Sequence, residues 1–187
     1  YRDEILSDTV MVYGNVDEVE LVLNGKTIRR QTADKGPDSD YIPVPNGGNG
    51  KNLHFPPFTF YGVPKERGVL KAVGYHQGKK VAEYTVKTPG VPERLDITYF
   101  ESGKPATKND LLIVYVRMLD KQGVLCPVNG IPVELSVQGG EIVGPTSYPL
   151  EAGVASFLVR TGEISKININ ATGKGFSTRK SLKVGKE

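Results

Sequence analysis

Tryptophan is absent from these 187 residues, cysteine occurs once and histidine twice. Each scarcity closes a class of function. A lone Cys126 allows no intrachain disulfide and no cysteine-pair metal site, and no histidine stands within sequence reach to activate it. Beside Pro127 it reads as a small structural residue. His54 and His76 fall in no H-x-x-x-H spacing, so a zinc centre has no frame, and His76, between Tyr75 and Gln77, reads as a solvent-facing turn residue. No G-x-S-x-G occurs, no G-x-G-x-x-G opens a helix, and "NGGNGKN" lacks the lysine-then-hydroxyl ending of a phosphate loop. No cofactor and no metal is expected.

An excess of one charge is also missing. Twenty-four basic and 21 acidic residues leave a formal charge of +3, far from the clustered basic surface that nucleic acid requires. The closing "TRKSLKVGKE" gathers Arg179, Lys180, Lys183 and Lys186, but their alternation fits an edge strand whose lysines deter pairing better than a polyanion site. No run approaches the roughly 20 apolar residues of a membrane span, so no membrane insertion is expected. "YRDEILSDTV" carries neither a basic n-region nor an apolar h-region. It opens on tyrosine rather than methionine, which suggests a piece of something longer, with any export signal and further domains upstream.

Alternation is what the chain has in place of helical periodicity: apolar residues recur at every second position in short runs broken by Gly, Pro, Asn and Asp. With 38% hydrophobic and 24% charged residues, such a chain folds. Strands are expected near 8–13, 18–23, 26–31, 57–61, 68–75 and 79–87. Asn24-Gly25 and Gln77-Gly78 supply the positive φ angles that two-residue hairpins need. "KTPGVPERL" then crowds Pro89, Gly90 and Pro92 together, where neither helix nor central strand continues. A second series follows at 94–101, 111–119, 131–137, 140–143, 153–160, 164–172 and 177–184, seven strands as in an immunoglobulin-like sandwich. The fold class is all-β, with two tandem immunoglobulin-like β-sandwich domains, 1–90 and 91–187. The runs "LLIVYVRML" and "ASFLV" are apolar at consecutive positions, which suits central strands or a face covered by another domain.

In "DEVELVLNGKTI" the alternation sends Val19, Leu21 and Leu23 to the core and Glu18, Glu20 and Val22 to the opposite face. The apolar Val22 on that face hints at a covered surface.

One segment breaks the rhythm. Thr32 to Phe55 is rich in glycine and proline, and connections of this length are uncommon unless functional. Asp34, Asp38 and Asp40 raise a calcium reading, but no bidentate glutamate follows at a fixed offset and aspartates are ordinary turn residues. Asp40, Tyr41, His54, Phe55 and Phe58 form the candidate carbohydrate or interdomain contact, since aromatic faces stack on sugars or on a neighbouring domain. Phe58 and Phe60 alternate, so one of the two belongs to a core. Glycoside hydrolysis needs two carboxyl groups about 5–10 Å apart across a cleft. Asp17, Glu18, Glu20, Asp96 and Glu134 instead sit at polar strand positions or turns, and no catalytic residue is assigned.

"VYGNVDEVELVLNGKTI" with "PPFTFYGVPKERGVLKAVGYHQGKKVAEYTVKTPG" resembles the immunoglobulin-like domain after the catalytic barrel in bacterial family 2 glycoside hydrolases of the β-galactosidase type. It departs at Gly14, where the family has serine, and at "KERG", where an acidic-proline-glycine turn is usual. "VPERLDI", "VYVRMLDKQGVLCPV", "VELSVQGGEIVG" and "EAGVASFLVRTGEISKININATGKGF" resemble the next module of such enzymes, related to invasin-like repeats. The resemblance implies a non-catalytic accessory region of a periplasmic or extracellular glycosidase. Its implied partner is the upstream catalytic barrel, which it would support while shaping substrate access. A carbohydrate-binding module that holds a polysaccharide, and an adhesin-type surface repeat, remain open beside that reading.

Overall fold

The computed structural model describes residues 8–34, 56–100, 105–163 and 165–185. Paired positive φ angles mark three hairpins: Asn24-Gly25 at 50° and 80°, Gln77-Gly78 at 49° and 75°, and Lys174-Gly175 at 51° and 80°. These are type I′ turns, whose twist matches that of the strands they join.

The chain divides into two compact units between Thr88 and Pro89. Six strands make up the first among the described residues: β1 (Val10–Val12), β2 (Glu18–Leu23), β3 (Lys26–Thr32), β4 (Phe58–Phe60), β5 (Val69–His76) and β6 (Lys79–Lys87). One sheet has the order β3-β2-β5-β6 and the other pairs β1 with β4, every pair antiparallel. As the alternation requires, Val19, Leu21 and Leu23 are buried while Glu18, Glu20 and Val22 turn to the other face. Among the described residues the first core gathers Val19, Leu21, Phe58, Phe60 and Val63. Both phenylalanines of β4 belong to it, where one was expected.

Asn24 does more than turn the chain. Its side-chain oxygen accepts the Val69 N–H at 2.8 Å and its amide donates to the Arg67 carbonyl at 3.1 Å, so the β2–β3 turn is tied to the start of β5. Gly68 makes room for this: a Cβ there would lie 1.8 Å from that Asn24 oxygen, at a φ of 141°.

The second unit holds β7 (Pro92–Tyr99), β8 (Leu111–Asp120), β9 (Pro132–Gln138), β10 (Gly140–Ile142), β11 (Ser147–Pro149), β12 (Val154–Thr161), β13 (Lys166–Gly173) and β14 (Phe176–Lys183). Two four-stranded antiparallel sheets, β10-β12-β8-β7 and β11-β9-β13-β14, enclose one core. Leu112, Val114, Val116 and Met118 of β8 meet Phe157 and Val159 of β12 and Ile167 and Ile169 of β13 there. Among the described residues eight strands stand where seven were expected. The addition is β11, three residues ending on Pro149, too short and too interrupted by proline to show a period of two. Its Tyr148 ring meets Phe157 edge-on, 5.4 Å between centroids. The lysine-rich β14 is an edge strand, as its alternation implied.

Candidate functional site

Of the proposed contact residues, Asp40, Tyr41, His54 and Phe55 lie outside the described residues. Phe58 is described and corrects the expectation of an exposed contact. It is fully buried, opposite Val12 in the β1–β4 ladder and in the cluster of Val19 and Leu21, so hydrophobic burial claims its ring. Asp34 is engaged as well: its carboxylate accepts the N–H and the hydroxyl of Thr59, and its own N–H donates to the Pro57 carbonyl at 2.8 Å. Those bonds leave a structural role for Asp34, closing the return of the chain into β4. Asp38, the remaining aspartate of the calcium reading, lies outside the described residues, among which no group of His, Cys, Asp and Glu could hold a metal ion.

Glu18, Glu20 and Glu83 stand on the outer face of the larger sheet, each engaged by a neighbour. Glu18 pairs with Arg30 at 2.6 Å, and the Arg30 guanidinium lies 3.7 Å from the centre of the Tyr75 ring. Thr27 and Tyr75 donate to Glu20 at 2.6 and 2.7 Å, and these bonds hold its carboxyl below the usual glutamate range. The Glu20 carboxylate in turn raises the Tyr75 phenol. Glu83 pairs with Lys80 at 2.6 Å and Lys71 at 3.7 Å. Asp17 accepts the Gln77 N–H at 2.7 Å, which lowers its carboxyl, and lies 3.1 Å from His76 Nδ1. His76 is the exposed turn residue the sequence suggested. On the second unit Asp96 pairs with Arg117, and Glu134 is exposed on β9.

Asp120 escaped the sequence reading, and it is one of three polar residues buried among those described. Its carboxylate accepts the N–H groups of Gly90 and Val124, both at 2.7 Å, fastening the chain before β7 to the turn after β8. The Gly90 N–H is the main cause of its lowered pKa. Aspartate opening the turn "DKQG" was the available signal. Cys126 is buried beside it, and burial, followed by the Asp120 charge, pushes its thiol pKa up, which makes it a packing residue rather than a nucleophile.

Among the described residues two apolar surfaces carry exposed side chains. In the first unit the ladder places Leu21, Ala72 and Tyr84 in one row and Leu23, Leu70 and Val86 in the next, all on the face that bears the core. The β2 members are buried, whereas Tyr84 is 73% and Val86 46% exposed. A groove of about 370 Å³ runs there, lined by Met11 and Tyr13 on the β1 side, Leu70 and Ala72, and Tyr84 and Val86 on β6. In the second unit an outward row runs from the residue after β7 across β8 and β12 to the residue after β10. Phe100 donates its N–H to Ile113, Ile113 pairs with Leu158, and Val143 donates to the Leu158 carbonyl. Phe100 is 61% exposed, and the row lies between the Arg160–Glu141 and Arg117–Asp96 ion pairs. This is the second face that the consecutive apolar residues of β8 and β12 presaged.

Comparison with known proteins gives these surfaces a context. Residues 7–82 match the family described as Domain of unknown function (DUF4982). A β-galactosidase of Thermoanaerobacter pseudethanolicus is 29% identical over 171 residues, covering 85% of this chain and 21% of that protein. A β-galactosidase sequence of Rhizobium radiobacter is 30% identical over 129 residues, 68% of this chain and 92% of that sequence. The solved structure of a family 2 glycosyl hydrolase from Bacteroides cellulosilyticus superposes with a TM-score of 0.71 at 25% identity, covering 93% of this chain and 24% of that one. The chain thus spans 21% of the Thermoanaerobacter relative and 24% of the Bacteroides structure. By these matches the chain belongs to the family 2 glycoside hydrolases, as part of their C-terminal region.

Proposed function

We propose that this chain is a non-catalytic accessory region of a family 2 glycosidase, which packs against the catalytic barrel of the same polypeptide, stabilises it and shapes access to its cleft. One observation carries the reading: Asp17, Glu18, Glu20, Asp34, Glu83, Asp96 and Asp120 are engaged on sheet faces and turns, while apolar side chains on both units are exposed. Sugar hydrolysis wants the reverse, two carboxyl groups facing one another across a cleft. Domain packing wants what is seen, apolar patches rimmed by polar residues. The relatives named as β-galactosidases support a glycosidase parent, and the resemblance to exported enzymes of this family supports a periplasmic or extracellular location.

The test is to prepare the parent polypeptide with and without these 187 residues, and the 187 residues alone. Deletion is expected to lower the thermal midpoint of the remainder and change kcat/KM toward large substrates, and the isolated chain is expected to hydrolyse no aryl glycoside. Hydrolysis by the isolated chain, or a deletion that leaves stability and activity intact, would overturn the reading.

A further inference from the structure

A stretch rich in proline and glycine between two units reads as a loose linker, and swivelling across it is the ordinary expectation. Residues 88–90 are held otherwise. Lys87, the last residue of β6, pairs with Val69, and Pro92, the first of β7, pairs with Asp120. Between these ladders the chain is fastened again by each unit.

The first fastening is reciprocal. Thr88 donates its N–H to the Gly68 carbonyl at 2.8 Å, and its hydroxyl oxygen accepts the Gly68 N–H at 3.1 Å. Gly68 is a fixed point, because its neighbours Arg67 and Val69 are both bonded to the Asn24 side chain. The second fastening lies two residues on. Gly90 donates its N–H to Asp120 at 2.7 Å, and its carbonyl lies 3.7 Å from the Cys126 thiol, which stands at the same distance from the Val124 carbonyl. Asp120 and Cys126 are each 2% exposed, and the other Asp120 oxygen accepts the Val124 N–H, so the carboxylate that receives Gly90 is itself held in place. Pro89 stands between the fastenings. Its ring sets φ at about −65° and confines Thr88, the residue before it, to extended conformations.

We propose that residues 88–90 form a latched joint, a connector held to one backbone course by hydrogen bonds at both ends, which opposes swivelling of one unit against the other. The inference is independent of the accessory reading, because it concerns the connector of the 187-residue chain alone. Each latch contains a side-chain acceptor, Thr88 Oγ1 in one and Asp120 Oδ2 in the other, so each is weakened by one substitution.

Amide relaxation and tryptic cleavage after Lys87 test this in the 187-residue chain. Order parameters of the Thr88 and Gly90 amides are expected at about 0.85, as in the strands. Thr88→Val, at an exposed position, and Asp120→Asn, which leaves the Gly90 or the Val124 N–H without its acceptor, are each expected to lower them. Each is also expected to speed the cleavage by about five- to tenfold, the effect of losing one hydrogen bond, measured against the same change in a short peptide. Thr88→Ser keeps the hydroxyl and is expected to keep the original rate. If Asp120→Asn unfolds the second unit, Thr88→Val alone decides. Order parameters below about 0.6 at Thr88 and Gly90 in the unaltered chain overturn the inference. So does an unchanged cleavage rate in Thr88→Val.

Discussion

The two units share one antiparallel two-sheet architecture and differ in the cores that their described residues build. The second closes four strands over four around nineteen buried residues, whereas the first sets two short strands over four and gathers five among the described residues. Burial of apolar area is the main favourable term in folding. The second unit therefore carries its own stability. The first exposes Tyr84 and Val86 on the same face that buries Leu21 and Leu23.

The sharpest way to separate them is to cut into each core. Phe58→Ala should cost about 3–5 kcal/mol and Ile169→Ala about 2–5 kcal/mol. With so small a core, the first unit should unfold on Phe58→Ala while the second remains folded, giving two transitions in calorimetry. Ile169→Ala should lower only the upper one. A single shared transition in both variants would remove the contrast.

Glycines give the next largest effect. A Cβ on Gly153, at a φ of 84°, would lie 2.1 Å from the Cys126 carbonyl oxygen, so Gly153→Ala should destabilise the second unit by about 3 kcal/mol. Gly78, at a φ of 75°, has open space around it, and Gly78→Ala should cost the first unit only about 1–2 kcal/mol in denaturant unfolding. Equal losses would show that backbone conformation alone, without packing, sets both values.

Acid should act on both units with the same sign and different strength. Asp120 and Asp17 both have carboxyl pKa values below the ordinary 3.8, held there first by the N–H groups of Gly90 and Gln77. Their contribution is complete above the unfolded value and is lost as pH falls through the lower folded one. Asp120 is buried and Asp17 half exposed, so solvent screens the latter more. Thermal midpoints measured from neutral pH to below about 4 should fall more steeply for the second unit. Asp120→Asn should flatten that fall, and Asp17→Asn should change the first unit's profile less.

Much of this contrast was legible in the sequence, and the reasons for the rest are physical. Strict alternation before Asn24-Gly25 told which residues of β2 face inward, and the turn itself marked the start of β3. The consecutive apolar residues of β8 marked a strand with apolar side chains on both faces, and the outward row of Phe100, Ile113, Leu158 and Val143 explains them. β11 was not legible, because three residues ending in proline carry no period. Asp120 was hidden because its partner Gly90 lies 30 positions away. Phe58 and Phe60, two positions apart with Thr59 between them, share one face of β4, so the period of two places both rings in the core rather than one. The open groove depends on sheet order, which places β6 at an edge, and order is not written in the alternation.

Hydrogen exchange tests the central claim most directly, measured on the 187-residue chain and on the parent polypeptide under the same conditions. Packing of the first unit against the rest of its polypeptide predicts that amides of β1 and β6 exchange quickly in the chain and become protected in the parent, while those of β8, β12 and β13 are equally protected in both. Equal exchange at β1 and β6 in the two proteins would contradict it.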